Sequence, residues 1–444
     1  MKIWDKGFSI DKRIETFTIG KDRELDVWLA PFDILGSMAH SRMLHKIGLL
    51  SDEELEQLLG GLKEIYAQVE KGEFEIEEGL EDVHSQVELM LTRKLGDVGK
   101  KVHSGRSRND QVLLDLRLYI RHEIQTIVDL STKLFDTLIR LSEKHKNVLL
   151  PGYTHTQVAM PSSFGLWFGA YAESLVDDLT VLQAAFRVAN QNPLGSAAGY
   201  GSSFPLDRSM TTKLLGFDSM SYNVVYAQMG RGKVEKTVSF ALASIAATLG
   251  KMAADVCLYM SQNFGFITLP DHLTTGSSIM PHKKNPDVFE LIRAKANKLQ
   301  ALPNEVTLII TNLTSGYHRD LQLVKESFLP AFEDLKDCLS ICEYMLNHVE
   351  VNKNILDDDM YKYLFSVEAV NQEVLKGVPF RDAYKKIGAE IASGNYRPDK
   401  DLKHSHEGSL GNLCNDKIAE KMEKATAAFD FSQVEKALSE LLTY

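Results

Sequence analysis

The chain has 444 residues, of which 44% are hydrophobic and 25% charged, and its formal net charge is −11. These proportions are ordinary for a folded globular protein and exclude intrinsic disorder, a collagen-like chain and a small disulfide-stapled protein. The acidic balance argues against a general nucleic-acid-binding protein, which usually carries a basic stripe. At about 150 residues per domain, the length predicts roughly three domains or subdomains.

The cysteines and the N-terminus predict a cytoplasmic protein that does not cross a membrane. The four cysteines, Cys257, Cys338, Cys342 and Cys414, form no CxxC pair, and we expect free thiols and no metal centre. The N-terminal sequence MKIWDKGFSIDKRIETF lacks the apolar segment of a secretory signal. The longest uncharged apolar-rich run, residues 237–250, is shorter than the roughly 20 residues of a membrane span, and it predicts a buried helix.

Apolar residues at steps of three and four predict three long helices. The first covers about residues 110–144, roughly 50 Å at 1.5 Å per residue. The second covers about residues 161–190 and starts after Pro161, and the third covers about residues 234–263. The apolar seam of the third helix consists of Val238, Leu242, Ile245, Leu249, Met252, Val256 and Tyr259. Because this helix is apolar on all its faces, we expect it to be buried in a bundle shared between subunits.

The two ends of the chain predict shorter helices around the long ones. The sequence SDEE at 51–54 is a capping box that opens a helix reaching about Lys71. The part after about Asn354 is more polar and includes a segment rich in Gly, Asn and His near 404–415. We therefore predict an all-α subunit in three parts. These are an N-terminal helical domain (1–104), a central bundle of long helices (105–353) and a small C-terminal helical domain (354–444).

Four polar segments interrupt the helices, and loops between rigid helices are where binding and catalytic residues usually lie. The first is HSGRSRNDQ at 103–111. Its two guanidinium groups, on Arg106 and Arg108, suit the fork geometry of carboxylates. The alternative is a simple helix N-terminus capped by Ser107 or Asn109, although such a terminus itself favours anions.

The second and third polar segments carry candidate catalytic groups. The sequence GYTHTQ at 152–157 places His155 between two threonine hydroxyls, which is a polar setting for a catalytic histidine; the alternative is a structural one. The sequence TTGSSIMPHKKNP at 274–286 holds paired serines and paired lysines beside Gly276. It is not a P-loop, because it lacks GxxxxGK[ST] and no strand precedes it. The alternative for this segment is a solvated basic loop.

The fourth polar segment is SGYHRDLQLVK at 315–325. Gln322 and Lys325 are three residues apart and share a helix face, and Tyr317 lies in the turn before them. The sequence GSAAGYG at 195–201 is not a dinucleotide-binding GxGxxG and predicts a tight turn with close packing. Together the four polar segments predict an enzyme for a small, multiply anionic substrate that uses a base and no metal or other cofactor.

The sequence GSSIMPHKKNP at 276–286 resembles the signature of the fumarase/aspartase superfamily. HSGRSRNDQ, PGYTHTQ and SGYHRDLQLVKE are similar to motifs of one family within it, the argininosuccinate lyases. The resemblance extends from about Phe17, through EDVHSQVE at 81–88, to KGVPFRDAY at 376–384. It implies an all-helical homotetramer in which each active site combines loops of three subunits. It also implies cleavage of argininosuccinate to arginine and fumarate, the last step of arginine biosynthesis.

The resemblance also assigns roles to individual residues. Ser277 corresponds to a catalytic serine on a mobile loop, His155 to a catalytic histidine, and Glu290 to the carboxylate partner of that histidine. Lys283 and Asn285 correspond to loop residues near the reacting carboxylate. The residues matched to substrate contacts are Thr18, Ser107, Arg108, Asn109, Thr154, Asn285, Tyr317, Gln322 and Lys325. The chain departs from the usual pattern at Thr18, where most members have serine, and at His282, where many have glutamine.

The implied reaction removes a proton from the carbon next to a carboxylate. A second negative charge then develops on that carboxylate, and preorganised donors are needed to stabilise it. We expect Ser277 to act as the base, activated by Lys283, and His155 to manage the proton of the leaving group. The sequence leaves open which of the two faces the carbon atom. Two other functions are alternatives: a lyase for a different N-succinyl substrate, against which SGYHRDLQ argues, and an inactive crystallin-like homologue, against which the retained catalytic residues argue.

Overall fold

The structure is a computed structural model that describes residues 11–402 and 404–443. The absence of a secretory signal was predicted partly from residues 1–10, which lie outside the described residues. The α-helices of the described chain are α1 Lys12–Ile19, α2 Asp22–Asp26, α3 Ala30–Lys46, α4 Asp52–Glu70, α5 Val83–Leu95, α6 Asp97–Lys100, α7 Arg108–Lys144, α8 Phe164–Ala189, α9 Arg208–Leu214, α10 Val224–Met229, α11 Lys233–Tyr259, α12 Asp287–Ile310, α13 Val324–Leu346, α14 Ser366–Leu375, α15 Phe380–Ala392, α16 Asn415–Ala427 and α17 Phe431–Thr443.

The strands of the described chain are short and form two-stranded sheets. They are β1 Leu149–Thr154, β2 Gln157–Ser163, β3 Gln191–Asn192, β4 Ser219–Met220, β5 Ile267–Thr268, β6 Thr275–Gly276, β7 Lys284–Asn285 and β8 Glu350–Val351. The pairs β1–β2, β5–β8 and β6–β7 are antiparallel, and β3–β4 is parallel. Since helices dominate the described chain, the predicted all-α class is confirmed.

The long helix α7 begins where a capping box satisfies its first backbone groups. The backbone N–H of Asn109 donates to the Ser107 hydroxyl at 3.2 Å, and the N–H of Ser107 donates to the Asp110 carboxylate at 2.8 Å. The helix then continues for 37 residues to Lys144. The helix predicted for 110–144 is therefore confirmed, with its start two residues earlier. The capping box predicted at 51–54 is also present, and α4 follows it.

Helix α11 packs against α8, α12 and α13, and its predicted seam faces them. Val238, Leu242, Ile245, Leu249, Met252 and Val256 are almost fully buried. The helix ends at Tyr259, four residues before its predicted end, because a turn follows in which Gly265 N–H donates to Ser261 O. Within one chain its burial is incomplete, since the Phe240 side chain is 54% exposed.

Among the described residues, helix α11 is the one helix whose length and apolar composition would allow it to cross a membrane. Half of its apolar window is buried inside the protein. The core helix of a folded protein meets the same criteria, so this is weak evidence for a membrane span.

The helix predicted for 161–190 begins later than expected, which corrects that prediction. Pro161 lies in β2, directly opposite Pro151 of β1, and α8 starts only at Phe164. The Ser163 hydroxyl accepts the N–H of Leu166 at 3.1 Å and so provides the N-cap. The strands are joined at His155 and Thr156, both with positive φ, as the tightest hairpin turns require.

Asp110 connects the start of α7 to the glycine-rich turn at 195–201. Its Oδ2 accepts the backbone N–H groups of Gly195 at 3.0 Å and Ala197 at 2.9 Å. Gly195 has a φ of +87°, and a Cβ there would lie 2.8 Å from Arg208 Cγ. The predicted tight turn with close packing is therefore confirmed. Burial raises the pKa of Asp110 to about 6 despite these hydrogen bonds.

The apolar core runs continuously through the long helices, and α16 and α17 pack back onto it beside α8 and α3. A second, small apolar cluster lies between α14 and α15. Its buried members are Val370, Ala383, Ile387 and Tyr396. The boundaries of the three predicted domains stay predictions.

A buried ionic cluster connects α3, α5 and α7. His84 Nδ1 lies 2.8 Å from Asp33 Oδ1 and 3.6 Å from Asp115 Oδ2, and all three side chains are buried. Although burial opposes protonation, the carboxylate of Asp33 raises the pKa of His84 to about 9. These three side chains are near enough to one another to ligate a metal ion. However, the protonated imidazole already pairs with Asp33, and burial together with the charge of Asp33 raises the pKa of Asp115 well above its usual value, so we assign no metal to the cluster.

The His84→Gln variant should lose a pH-dependent part of the folding stability. The pKa of His84 rises from about 6.5 unfolded to about 9 folded. The stabilisation is therefore complete below pH ~6.5 and disappears as the pH rises through ~9; it amounts to about 3 kcal/mol. Urea unfolding between about pH 6 and pH 10 measures this as a shrinking gap between wild type and variant. The exposed His122 provides the matched control, His122→Gln. A gap for His84→Gln that stays constant over this range would contradict the assignment.

Candidate active site

A cavity of about 200 Å³ lies where the N-terminus of α7 meets α2 and the segment that precedes α13. Its wall includes five of the predicted substrate contacts, namely Arg108, Asn109, Tyr317, Gln322 and Lys325. They come from two polar segments that are more than two hundred positions apart in the sequence. The fold therefore brings the first and fourth polar segments together.

Arg108 provides a cation at the N-terminus of α7. Its Nη1 lies 3.2 Å from Asp82 Oδ2 and 3.7 Å from Glu81 Oε2. Burial opposes ionisation of Asp82, but the charges of His84 and Arg108 hold the pKa of this carboxyl below its usual value. Arg108 is thus positioned in the cavity wall by internal carboxylates.

Lys325 and Gln322 form the opposite wall of the cavity. The Lys325 ammonium group is buried between two carboxylates, 2.6 Å from Asp26 Oδ1 and 2.7 Å from Asp22 Oδ1. Burial raises the pKa of Asp22 to about 6, against the opposing effect of Lys325. Gln322 Nε2 donates to the backbone carbonyls of Thr18 and Ile19, both at 2.9 Å. These contacts hold the end of α1 against the cavity.

Two of the predicted substrate contacts have other partners within the chain. The Thr18 hydroxyl donates to Ile14 O at 2.9 Å, and Ile19 rather than Thr18 lines the cavity. Ser107 caps α7, which is the alternative that its sequence left open, and it does not line the cavity. The substrate contacts of both residues stay predictions.

The cavity also contains charged residues that the sequence analysis did not select. Arg231 is buried at the start of α11, with Nε 3.4 Å from Glu235 Oε1 and Nη2 donating to Leu321 O at 3.2 Å. A signal was present, because Arg231 stands between two glycines directly before an apolar helix. Gly232 has a φ of +78°, and a Cβ there would lie 2.6 Å from Ile310 Cγ2. His84 also lines the cavity.

The hairpin of β1 and β2 carries Thr154 and His155 at its tip, outside the cavity. Both side chains are exposed, and neither residue lines the cavity. Within the described part of the chain, the His155 side chain has no hydrogen bond or ion pair. The predicted pairing of His155 with Glu290 is therefore not formed within a single chain.

The serine loop, residues 274–286, also lies outside the cavity. It is closed at its base by the pairing of β6 with β7. The Ser277 oxygen accepts the backbone N–H groups of Met280 at 3.0 Å and Ile279 at 3.2 Å. Donors of this kind favour a negatively charged oxygen over a neutral one. The predicted role of Ser277 as a base would use such donors, and that role stays a prediction.

The end of the serine loop and the start of α12 carry three further predicted site residues, Lys283, Asn285 and Glu290. Asn285 lies in β7 opposite Thr275, Lys283 is exposed near the end of the loop, and Glu290 is exposed in the first turn of α12. None of them lines the cavity. Within one chain, the predicted site residues other than Thr18 and Ser107 therefore form three groups: those of the cavity, those of the hairpin tip, and those of the serine loop and the first turn of α12.

Comparison with known proteins identifies the family. Residues 4–301 match a protein family described as Lyase. The argininosuccinate lyase of Bacteroides thetaiotaomicron is 65% identical over 441 residues, which cover 99% of both chains. That of Parabacteroides distasonis is also 65% identical, with the same coverage. That of Thermotoga neapolitana is 39% identical over 386 residues, 87% of this chain and 97% of the relative.

Solved structures show the same fold at much lower sequence identity. An EDDS lyase variant with bound fumarate has a TM-score of 0.76 at 19% identity and covers 99% of this chain and 95% of its own. A class II fumarase from Schistosoma mansoni has a TM-score of 0.70 at 16% identity, with coverages of 95% and 93%. The fold is thus that of the fumarase/aspartase superfamily. On the near-complete overlap with relatives at 65% identity, the chain belongs to the argininosuccinate lyase family.

Proposed function

We propose that this lyase cleaves argininosuccinate to L-arginine and fumarate. The observation that carries the proposal is the gathering of Arg108, Asn109, Tyr317, Gln322 and Lys325 around one cavity. Argininosuccinate carries several carboxylates together with a guanidinium and an ammonium group. A cavity lined by cationic and anionic side chains suits such a mixed-charge ligand. The free thiols of the four cysteines support the cytoplasm as the place of this reaction.

The carboxylate beside the reacting carbon determines what the cavity must do. Removal of the proton from that carbon builds up charge on this carboxylate, and donors that are already in place stabilise the charge without reorganising. Arg108 and Asn109 at the positive end of α7 are suited to this role. The guanidinium of the product leaves readily, because protonation delocalises its charge.

The proton transfers are assigned to Ser277 and His155, which lie outside the cavity. Ser277, whose oxygen accepts two backbone N–H groups, removes the proton from carbon, with Lys283 of the same loop stabilising the alkoxide. His155, oriented by Glu290, delivers a proton to the leaving nitrogen. Both transfers need these side chains beside the cavity, and neither lines it within one chain.

We infer that partner subunits complete the cavity and that the protein is a homotetramer. The separation of the three groups of site residues supports this. So do exposed apolar side chains on the long helices: Phe240 and Leu258 on α11, Leu291 and Leu308 on α12, and Val181 on α8. An exposed apolar surface of this extent is typical of an interface. A helical core shared by four chains would cover it and would bring a hairpin and a serine loop to each cavity.

The reaction itself is tested by mixing the purified protein with argininosuccinate and following the ultraviolet absorbance of fumarate. We expect fumarate and arginine to form in equal amounts. A parallel panel of other N-succinyl compounds distinguishes a lyase of different specificity, which would cleave one of those instead. No fumarate from any of these compounds would contradict an active lyase.

Arg108→Ala should reduce kcat/KM for argininosuccinate. Loss of a hydrogen bond to a charged group costs roughly 1.5–3 kcal/mol, which corresponds to about tenfold to more than a hundredfold in kcat/KM. Steady-state kinetics measure the loss. Arg187→Ala, which removes an exposed guanidinium from α8, is the matched control and should leave kcat/KM unchanged. An unchanged value for Arg108→Ala would remove this residue from the site.

The shared site predicts that two inactive variants rescue each other. His155→Asn and Ser277→Ala protomers are each expected to be inactive as pure oligomers. When they are mixed after mild denaturation, some sites receive the intact residue from each parent, so a clear fraction of the wild-type activity should return.

The mixing experiment needs proof that subunits exchange. Light scattering should first give the mass of a tetramer, and a tagged variant should then show that mixed oligomers form. If exchange is demonstrated and the activity stays at the parental level, His155 and Ser277 either come from one chain or are not both catalytic. A stable and active monomer would contradict both the tetramer and the shared site.

A further inference from the structure

A second cavity, of about 590 Å³, lies between α3, α9 and α17. None of its lining residues lines the substrate cavity. Its volume is in the range of pockets that hold small organic molecules, about 300–1,000 Å³. The established family relationship and the proposed reaction assign no role to it.

An unpartnered guanidinium group lies in the wall of this second cavity. The Nε and Nη2 atoms of Arg42 are buried, and neither donates a hydrogen bond to a protein atom. Burial lowers the pKa of Arg42, although a guanidinium stays charged at neutral pH. Leaving charged donors buried without acceptors is unfavourable. A small rotation of the Arg42 side chain would turn these donors toward acceptor oxygens of a ligand in the cavity.

Two lysines add to the positive charge. Lys46, one turn after Arg42 on α3, lies 2.6 Å from Asp207 Oδ2. Lys213 on α9 has no ion pair with any residue in the described ranges. Of the two carboxylates in the lining, Asp207 is therefore already paired, and it also caps α9 through Met210 N–H at 2.9 Å. The other, Glu440 on α17, lies 4.0 Å from Lys436. The unpaired charge that remains toward the cavity is positive.

The remaining wall of the cavity is apolar and would contact an apolar part of the ligand. Met210 and Leu214 of α9 face Ala437 and Leu441 of α17 across the cavity. We propose that this cavity binds phosphate, either free or carried by a small molecule whose body lies on the apolar wall. A phosphate offers three acceptor oxygens and nearly two negative charges, which match the unpartnered guanidinium of Arg42 and a nearby ammonium group.

The test is isothermal titration of the wild-type protein with inorganic phosphate and, separately, with AMP. We expect saturable binding of one ligand per chain. Arg42→Gln should weaken binding at least tenfold, and Lys213→Gln should weaken it less. The exposed Arg187 provides the matched control, Arg187→Gln, which should bind as the wild type does. Tighter binding of AMP than of phosphate identifies a phosphorylated small molecule as the ligand, and equal binding identifies the free ion.

Three results would overturn the proposal. These are no saturable binding by the wild type at millimolar ligand, equal binding by Arg42→Gln, or loss of binding in Arg108→Gln, which would place the anion in the substrate cavity instead. We expect the basal lyase activity of Arg42→Gln to be unchanged, which would show that this variant folds. Circular dichroism tests its folding independently of activity. Because binding is measured directly, failure of the proposed reaction leaves this result standing.

Discussion

The position of the cavity beside α7 depends on one buried carboxylate. Asp110 accepts hydrogen bonds from Ser107, which fixes the start of α7, and from Gly195 and Ala197, which fix the glycine-rich turn beside it. Because Arg108 stands at the first turn of α7, these bonds determine where its guanidinium is. Without that carboxylate, three backbone donors would lose their acceptor, and the first turn of the helix would lose its support.

The features that could be predicted from the sequence are those that local chemistry decides. The helix α7 follows from its apolar period, and the starts of α4 and α7 follow from capping boxes that need only four neighbouring residues. The cavity residues Arg108 and Gln322 could be predicted because they lie in polar segments between long helices, where binding and catalytic residues usually lie. The resemblance of one motif to the superfamily and of three to one family within it pointed to the same residues and predicted the family correctly.

The features that could not be predicted are those that depend on contacts between distant segments. Pro161 was expected at the start of a helix, where its missing N–H costs nothing, but pairing with β1 holds it in a strand, and no alternation of residues was long enough to reveal this. The charge balance of Asp33, His84 and Asp115 arises only when three helices meet. The role of Arg231 in the cavity likewise depends on α11 and α13 lying side by side.

The internal ion pairs of the cavity limit which ligands can bind in it. Arg108 is engaged by Asp82, and Lys325 by Asp22 and Asp26. An incoming anion therefore gains only the difference between its own interactions and those that it displaces. A small inorganic anion replaces one partner by another and leaves an acidic side chain unpaired. A ligand that carries both carboxylates and cationic groups can pair with the cavity cations and, at the same time, with the acids that they release. Selectivity for a mixed-charge ligand in this cavity would thus come from an exchange of partners, in which the acidic side chains disfavour simple anions.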